Sequence, residues 1–359
     1  MRVVIAGGGT GGHLYSGIAV YELLSREGGH EVRFIGTRDG IEAGVLPSMG
    51  VDVRFVPVSK FRKSGLVAKA ASVAVLPVSA VCALMELARF RPDVVLGVGG
   101  YASGPVVAAA ALLGVKRAVI EQNSVAGFTN RILGRFVERA FVGLPGALSD
   151  FPTGVGVFVG NPVRGALFGV PPVENVPPPF TILVFGGSQG ARRINELIGE
   201  ALPFLADLKG DLSFIHLSGR HDYEKVRRAY EEAGITAQVY EFRDDMETLY
   251  ARAHWVIARS GAMTVSELAA ARRPSLLIPY PFAVDDHQAA NAAYLVDRGA
   301  CEMIRQEELT GRRLASLVRE AHGDRKRLAA MGKKAGEAAR PEAAREIAEW
   351  VTKTGKKRT

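Results

Sequence analysis

The stretch RVVIAGGGTGGH, residues 2–13, decides the fold class of the chain. A β-branched run enters a cluster of glycines, and a helical pattern starts directly after it. Glycine allows turns at positive φ and lets a ligand lie against the main chain. The N–H groups at a helix start lack partners inside the helix and share the positive end of its dipole. The stretch therefore predicts an anion site, most often used for phosphate, with His13 at its rim in the first helical turn.

Composition bounds the class of protein before the other motifs are considered. The chain has 359 residues, 48% hydrophobic and 23% charged, with a net charge of +8, which predicts two globular domains and attraction to phosphates or anionic lipid. Aromatic residues do not alternate with basic ones, so no nucleic acid is expected as a partner. Cys82 and Cys301 lie far apart in apolar contexts, which indicates buried thiols in a reducing compartment. The opening strand is cut short by glycines, so we expect no signal peptide and a cytoplasmic protein.

Alternating strand and helix patterns run through both halves of the chain and predict an α/β fold with parallel sheets. A stiff, proline-rich stretch at Pro171–Pro179 separates the halves. We expect domains at residues 1–161 and 162–340, and the C-terminal helix at about 341–359 is a candidate for packing back on the first domain. The glycine loops should line a cleft between the domains, because ligands bind beyond the carboxyl ends of parallel strands. The predicted strands are Val3–Ala6, Glu31–Ile35, Asp52–Val58, Asp93–Val98, Arg117–Glu121, Ala140–Val142, Thr181–Phe185, Leu212–Leu217, Ala237–Glu241, Trp255–Ala258 and Ser275–Ile278.

The run Ala70–Ala88 is nearly uncharged and about long enough to span a bilayer. It also occupies the helix position between two predicted strands, and a spanning helix would separate them. A buried helix packed on the sheet and a helix lying on the membrane surface both stay open. The second is favoured slightly, because basic residues suited to the anionic inner leaflet flank the run. These residues are Lys60, Arg62, Lys63, Lys69, Arg89 and Arg91.

Two short motifs admit other enzyme classes. Gly7, Gly9 and Gly12 fit the dinucleotide fingerprint, but the second strand ends without the acid that would hold a ribose, so a nicotinamide or flavin enzyme depends on Asp39 alone. The run Gly186–Gly190 fits the nucleophile elbow of hydrolases. A hydrolase is disfavoured, because the candidate catalytic histidine, His287, lies at a helix start and not on a loop. Ser188 of the run is instead expected to donate its hydroxyl to a phosphate.

Two later segments extend the predicted site. After a strand, Arg259–Glu267 forms a small-residue turn and a helix start whose N–H groups would cradle another phosphate. Glu267 is either a capping-box acid or an acceptor for both hydroxyls of a ribose. Asp285, Gln288 and Asn291 share one helical face, which suits sugar hydroxyls. Ordinary helix capping by Asp285 or Asp286 stays open as the alternative.

Six motifs in order give the chain a specific resemblance over essentially its whole length. It resembles the MurG family of bacterial cell-wall N-acetylglucosaminyltransferases, which convert lipid I to lipid II. The motifs are GGTGGH at 8–13, GGY at 99–101, EQN at 121–123, GNPVR at 160–164, GGSQGA at 186–191 and RSGAMT at 259–264.

The resemblance implies a GT-B fold, two Rossmann-like domains facing across a cleft, and an inverting reaction that forms a β-1,4 bond. UDP-N-acetylglucosamine would bind mainly to the C-terminal domain, and the undecaprenyl-diphosphoryl N-acetylmuramyl pentapeptide to the N-terminal domain. The main chain at Arg243 would frame the uracil, Glu267 would bind the ribose, and Gln288 would bind the sugar hydroxyls. His287 stands where the family often has glutamine. The remaining donor contacts implied are Thr10, Gly11, Gly12, Asn123, Arg164, Ser188, Ala262, Met263, Thr264, Val265 and Ser266.

Physical chemistry agrees with this assignment. Negative charge builds on the leaving diphosphate, where N–H groups directed at it and Arg164 stabilise it most. No strand ends in an Asp-x-Asp pair that could hold a metal for the diphosphate, so neither metal nor cofactor is expected. A helix N-terminus lowers the pKa of His13, which makes it the first candidate base for the attacking hydroxyl. Glu121 and Asn123 are the next candidates, and Tyr101 would shape the acceptor site.

These expectations place the protein at the cytoplasmic side of the inner membrane as a peripheral enzyme. Its partners would be UDP-N-acetylglucosamine, lipid I and an anionic membrane surface, with cell-wall synthesis or division proteins as further candidates. Two alternatives stay open. One is a UDP-sugar GT-B transferase or epimerase with a soluble acceptor, and the other is a regulator that binds nucleotide sugars without catalysis.

Overall fold

A computed structural model describes residues 1–26, 28–58, 66–187 and 189–355, with the backbone alone for 66–76. The chain divides into two compact units. The first comprises Met1–Arg164 together with Pro341–Thr359, and the second comprises Gly165–Arg340. Each unit is built on its own parallel sheet, so the predicted α/β class with two Rossmann-like domains is confirmed.

The first unit contains a seven-stranded sheet in the order β3-β2-β1-β4-β5-β6-β7. Its first strand pairs with β2 on one side and with β4 on the other. The chain therefore reverses its direction of winding beside β1. The strands are β1 (Arg2–Ala6), β2 (Glu31–Gly36), β3 (Val53–Phe55), β4 (Val94–Gly97), β5 (Lys116–Glu121), β6 (Arg139–Val142) and β7 (Gly156–Phe158). The helices up to this point are α1 (Gly11–Arg26), α2 (Glu42–Ser48), α3 (Leu66–Phe90), α4 (Ser103–Leu112) and α5 (Phe128–Leu133).

Helix α3 covers the run that the sequence left open between a buried and a membrane-surface helix. One face of the helix packs against the first sheet through Ala83, Leu87 and Phe90. The opposite face leaves Val78 and Val81 more than half exposed. Within the part of the chain that the structure describes, no helix combines the length and the apolar character needed to cross a membrane.

The second unit repeats the design with a six-stranded sheet in the order β10-β9-β8-β11-β12-β13. Here β8 pairs with β9 and with β11, so the winding reverses beside β8. The strands are β8 (Phe180–Phe185), β9 (Leu212–Leu217), β10 (Thr236–Tyr240), β11 (Trp255–Ala258), β12 (Ser275–Leu277) and β13 (Glu302–Met303). The helices are α6 (Arg192–Ala201), α7 (Tyr223–Ala233), α8 (Met246–Arg252), α9 (Ala262–Ala270), α10 (His287–Val296), α11 (Gly311–Gly323) and α12 (Arg325–Ala338). Short 3-10 helices lie at Pro145–Asp150, Gly165–Gly169, Val173–Asn175, Leu202–Leu208, Val284–Asp286 and Gln306–Glu308.

The last helix, α13 (Ala343–Gly355), belongs to the first unit. Its Ile347 and Val351 are fully buried in the core that α1 forms with the sheet. Trp350 packs edge-on against Phe141 of β6, with ring centroids 5.6 Å apart. The C-terminal segment thus closes one face of the first sheet.

Strand boundaries show where the sequence prediction was incomplete. It missed β7 and β13, and it extended β3 to Val58 although the strand ends at Phe55. The missed strands have three and two residues and are only partly buried at the sheet edges. So short an edge strand has no continuous apolar run, which is the pattern that reveals buried parallel strands.

Candidate active site

Reversed winding fixes where each sheet can bind a ligand. In an open parallel sheet, a crevice forms beyond the carboxyl ends of the two strands at which the winding reverses. In the first unit these strands are β1 and β4, which lead into the turns at 7–12 and 98–101. In the second unit they are β8 and β11, which lead into the turns at 186–191 and 259–262. The glycine motifs at 8–13, 99–101, 186–191 and 259–264 therefore each follow one of the strands that flank a crevice, whereas GNPVR at 160–164 follows the edge strand β7.

The first glycine turn does not offer all its N–H groups to an anion. The amide of Gly7 donates to the Ile35 carbonyl at 2.9 Å, and that of Gly8 donates to the Gly99 carbonyl at 3.2 Å. The amide of Gly9 donates to Oε2 of Glu42 at 2.7 Å. These three amides are therefore satisfied inside the protein. An anion site in this unit must use the amides from Thr10 onward, where α1 begins.

His13 is the third residue of α1 and lies half-buried beside the turn that follows β4. Its Nδ1 lies 3.1 Å from Oγ1 of Thr10. Its ring packs so closely on Gly99 that an added Cβ there would come within 2.7 Å of a ring carbon, and the φ of Gly99 is +90°. Burial lowers the pKa of His13, while Glu121, the Gly8 backbone and Glu42 raise it in part. The direction matches the sequence prediction, but burial rather than the helix dipole is the main cause.

Glu121 ends β5, and four hydrogen bonds hold its buried carboxylate. Oε1 accepts from the backbone N–H and the side-chain amide of Asn123, at 3.0 and 3.1 Å. Oε2 accepts from the amide of Gly127 at 3.0 Å and from Nδ2 of Asn130 at 2.9 Å. Since both oxygens are committed to donors within the protein, the geometry favours an orienting role for Glu121 over proton abstraction.

Two more predicted residues lie in the first unit. Tyr101 precedes α4 and is 41% exposed, so its ring is accessible to a ligand. Arg164 ends the first of the two segments that form the unit, and its Cζ lies 5.6 Å from the ring centroid of Tyr15 on α1. The guanidinium therefore lies beside the helix that carries His13.

A buried polar network supports the glycine turn of the second unit. An added Cβ on Gly190 would lie 2.2 Å from the Ser218 carbonyl, so only glycine fits there. Asn195 donates from Nδ2 to that carbonyl at 2.9 Å, and its Oδ1 lies 3.0 Å from Nε2 of His216. Burial lowers the pKa of His216 to about 3, which keeps the ring neutral at ordinary pH. Ser188, the predicted phosphate donor of this turn, lies outside the described residues.

Helix α9 begins at Ala262, within the segment 259–267 for which the sequence predicted a turn and a helix start, and its start has no side-chain cap. Gly261 occupies the N-cap in an extended conformation and contributes no side chain that could accept from the first-turn amides. Glu267 lies too far along α9 to be a capping-box acid, so that alternative is wrong. Its Oε2 instead accepts from the hydroxyl of the buried Tyr250 at 3.2 Å. The helix thus offers uncapped amides at its start and an oriented carboxylate one turn later.

Gln288 lines a cavity of about 460 Å³ beside the glycine turn of the second unit. Its Oε1 accepts from the amide of Tyr280 at 2.9 Å. The other cavity residues combine three arginines with aromatic and amide groups. They are Gly186, Gly190, Ala191, Arg192, Arg193, Glu196, Arg259, Tyr280, Phe282 and Gln306.

Arg259 and Gln306 are cavity residues that sequence reasoning did not select. Arg259 donates to the carbonyls of Ile278 and Pro279 and to Oε1 of Gln306. Burial lowers the pKa of Arg259 to about 10, which leaves it charged at neutral pH. The only sequence signal for Arg259 was its position directly after a buried strand. Gln306 gave no signal, because it lies in a distant segment of the sequence.

The predicted polar face of α10 is only partly present. Asn291 is completely buried and donates to the Ser260 carbonyl at 3.2 Å, so it supports the loop before α9 instead of facing a ligand. Asp286 occupies the N-cap without a side-chain capping bond and pairs with Arg305 at 2.7 Å. Both Asp285 and Asp286 have positive φ, near 50°. The capping interpretation of Asp286 is therefore wrong as well.

Arg243 follows β10 and is held in one conformation. Its Nε donates to Oδ1 of Asp245 at 2.7 Å, and its Cζ lies 5.0 Å from the Tyr240 ring centroid. The ion pair raises the pKa of Arg243. The side chain is fixed by neighbours in its own loop, which leaves the main chain as the part free to frame a base.

Comparison with known proteins agrees with this architecture. Residues 3–142 match the glycosyltransferase family 28 N-terminal domain, and residues 181–347 match the C-terminal domain of that family. The chain is 48% identical over 351 residues to the UDP-N-acetylglucosamine–N-acetylmuramyl-(pentapeptide) pyrophosphoryl-undecaprenol N-acetylglucosamine transferase of Myxococcus xanthus (strain DK1622), with 97% of this chain and 92% of that protein covered. The crystal structure of Acinetobacter baumannii MurG aligns with a TM-score of 0.79 at 32% identity, covering 98% and 99% of the two chains. The glycosyltransferase VinC in complex with DTDP shares the fold, with a TM-score of 0.68 at 15% identity, covering 99% and 100%.

Two Rossmann-like units that match both domains of glycosyltransferase family 28 define a glycosyltransferase of the GT-B fold, a hexosyltransferase that uses a nucleotide sugar. The chain belongs to glycosyltransferase family 28 and, within it, to the MurG family.

Proposed function

We propose that the enzyme transfers N-acetylglucosamine from UDP-N-acetylglucosamine to the C4 hydroxyl of lipid I and so forms lipid II for peptidoglycan synthesis. The observation that carries the proposal is the 48% identity over 97% of this chain to a protein named for that transfer. The proposed reaction inverts the anomeric centre and releases UDP.

The second unit would bind the donor. The uncapped start of α9, from Ala262 to Ser266, would bind phosphate, and Glu267 would accept from the ribose hydroxyls. The main chain at Arg243 would frame the uracil, and Gln288 would meet the hydroxyls of the sugar. Because the Tyr250 hydroxyl already fixes one carboxylate oxygen of Glu267, little rotamer entropy would remain to be lost when the ribose binds.

The first unit would supply the base. A neutral imidazole is required to accept a proton from the attacking hydroxyl, and burial keeps His13 neutral by lowering its pKa. Glu121 would orient Asn123 toward the sugar and raise the proton affinity of His13 through its charge. Thr10, Gly11 and Gly12 would contribute amides at the start of α1, and Tyr101 would contact the acceptor. Arg164 would stabilise the negative charge that develops on the diphosphate.

An apolar and basic surface, which we name the α3–α5 face, supports binding to an anionic membrane. Its apolar side chains are spaced three or four residues apart on α3 and on the segment that starts with α5. Helix α4 contacts both helices. Those on α3 and on the segment 128–136 are between 46% and 74% exposed, and exposed apolar side chains grouped in this way are typical of an interaction surface. The exposed Arg131 and Arg135 alternate with them, as anionic headgroups require. The apolar members are Val78, Val81, Met85, Leu112, Phe128, Ile132 and Phe136. Lys60, Arg62 and Lys63, which the sequence implicated, lie outside the described residues.

The transfer itself is tested with purified protein, labelled UDP-N-acetylglucosamine and lipid I in detergent or liposomes. We expect label to enter the lipid and UDP to be released in equal amount. Transfer to a soluble acceptor without detergent or liposomes would favour a soluble-acceptor transferase. Donor binding with no transfer to any acceptor would favour a regulator.

Replacing Glu267 tests donor binding. We expect Glu267→Ala to raise the donor KM by about 10- to 150-fold, because losing hydrogen bonds to a charged acceptor costs about 1.5–3 kcal/mol. Tyr250→Phe removes the same internal hydrogen bond but keeps the carboxylate, so its donor KM should rise far less. Glu337→Ala, an exposed change on α12, is the matched control. An unchanged KM in Glu267→Ala would contradict the ribose assignment.

Replacing His13 tests the base. We expect His13→Gln to lower kcat by about 100- to 10,000-fold with little change in donor KM, as general base catalysis predicts. In the parent, kcat should fall only below pH 6.5, the ordinary pKa of histidine, since burial lowers the pKa of His13 and the neutral ring is the active form. His221→Gln, on an exposed turn of the second unit, is the control. A His13→Gln enzyme with the parent kcat would exclude this base.

Charge reversal tests the membrane surface. We expect Arg131→Glu combined with Arg135→Glu to weaken partition into anionic vesicles by about 30-fold or more, at about 1 kcal/mol per basic residue lost. Lys225→Glu combined with Arg228→Glu makes the same change of charge on exposed positions of α7. Sedimentation with phosphatidylglycerol vesicles measures both. Equal loss in the two variants would mean that net charge, rather than the α3–α5 face, determines binding.

A further inference from the structure

Glu42 is a buried carboxylate that sequence reasoning did not select. It is the first residue of α2, and its side chain is completely buried. Oε2 accepts from the amide of Gly9 at 2.7 Å, and Oε1 accepts from both the amide and the hydroxyl of Thr37 at 2.9 Å. Burying a carboxylate is costly unless donors surround it, and here the donors come from two separate turns. Glu42 therefore joins the turn after β1 to the turn after β2.

Three glycines make room for this carboxylate. An added Cβ would lie 2.5 Å from the carboxyl carbon of Glu42 at Gly8, 2.6 Å from its Cγ at Gly36 and 2.1 Å from its Oε2 at Gly40. Each distance is shorter than any real contact allows, so side chains at these positions would expel the carboxylate. The glycines and Glu42 thus form one interlocked unit, defined by close approach as well as by hydrogen bonds.

The dinucleotide fingerprint gains a different meaning from this geometry. In that fingerprint an acid at the end of the second strand faces outward to hold a ribose. Here the acid comes from the start of α2 and faces inward, onto the amide of Gly9. A negative charge at this point also disfavours an anion beside Gly8 and Gly9. The turn is therefore built as a rigid support and not as a phosphate cradle.

The glycine turn that Glu42 holds is in contact with the residues around His13. Gly8 is fixed on its other side by the hydrogen bond from its amide to Gly99, and Gly99 is the residue on which the imidazole packs. The Gly8 backbone also hydrogen bonds to His13, and together with the charge of Glu42 this raises the pKa of the ring, against the effect of burial. Glu42 thus acts on His13 both by position and by charge.

We propose that Glu42 is a positioning residue of the transfer reaction, which holds the first glycine turn so that Thr10 and His13 face the acceptor hydroxyl. This inference rests on the proposed function for its kinetic part. The predicted effect of Glu42 on the pKa of His13 is independent of the proposed function, because that pKa can be measured without substrate.

The test compares Glu42→Gln with the parent, with Glu22→Gln on the exposed side of α1 as the control. We expect kcat to fall about 10-fold or more, because the neutral amide replaces an acceptor that receives three hydrogen bonds. UDP binding to the second unit should be unchanged. Loss of the negative charge should lower the pKa of His13, so the acidic fall of kcat should move to lower pH. Imidazole NMR of the substrate-free protein should show the same shift in the titration of His13.

The outcomes separate the two proposals. An unshifted His13 titration together with parental kcat overturns the role of Glu42, and so does a fall in kcat with an unmoved acid limb, which would be a purely structural effect. A parent that transfers nothing to lipid I overturns the proposed function, while the NMR titration still decides the effect of Glu42 on His13. If Glu42→Gln does not fold, Thr37→Val removes one donor and keeps the charge. A several-fold fall in kcat with unchanged UDP affinity then supports the proposal, and parental kcat overturns it.

Discussion

Backbone amides at the ends of parallel strands must find acceptors, and the two units satisfy this constraint in opposite ways. In the first unit, the amides of Gly7, Gly8 and Gly9 are satisfied inside the protein, by two carbonyls and a carboxylate. In the second unit, α9 begins without a side-chain cap. The turn after β1 is thus a rigid support, whereas the start of α9 keeps first-turn amides that no side chain caps.

The same logic explains the protonation states around the first turn. Burial opposes charge on the His13 ring, while Glu42 and Glu121 favour it. At His216, burial is the sole cause of the shift and lowers the pKa to about 3. A base must both accept and release a proton, so a ring kept neutral beside carboxylates suits the role proposed for His13. The two carboxylates are each satisfied by their own donors.

The sequence was most informative where a pattern is local. The apolar runs predicted β9 and β11 with the observed boundaries, and the small-residue turn predicted a helix start within residues 259–267, where α9 begins. These features depend on residues a few positions apart, so periodicity and capping rules reach them. The edge strands β7 and β13 escaped because two or three partly buried residues carry no periodic signal.

The parts that could not be predicted depend on contacts between distant segments. Asn291 had the spacing of a sugar ligand, yet its amide is used on the Ser260 carbonyl. Arg259 and Gln306 meet only after 46 intervening residues have folded. Spacing along a helix places a side chain on a face, but the tertiary structure decides whether that face meets solvent or another loop.

Three glutamates illustrate how the same side chain acquires different roles. The oxygens of Glu42 accept hydrogen bonds from two turns, and those of Glu121 accept from the segment after β5. Both carboxylates are therefore satisfied by donors within the protein. Oε2 of Glu267 accepts from the Tyr250 hydroxyl, and the residue lies about one turn beyond an uncapped helix start. A carboxylate that is already oriented loses less entropy when it accepts from an external hydroxyl. The position of Glu267 supports the proposal that the nucleotide binds to the second unit, whereas Glu42 and Glu121 both lie in the unit proposed to supply the base.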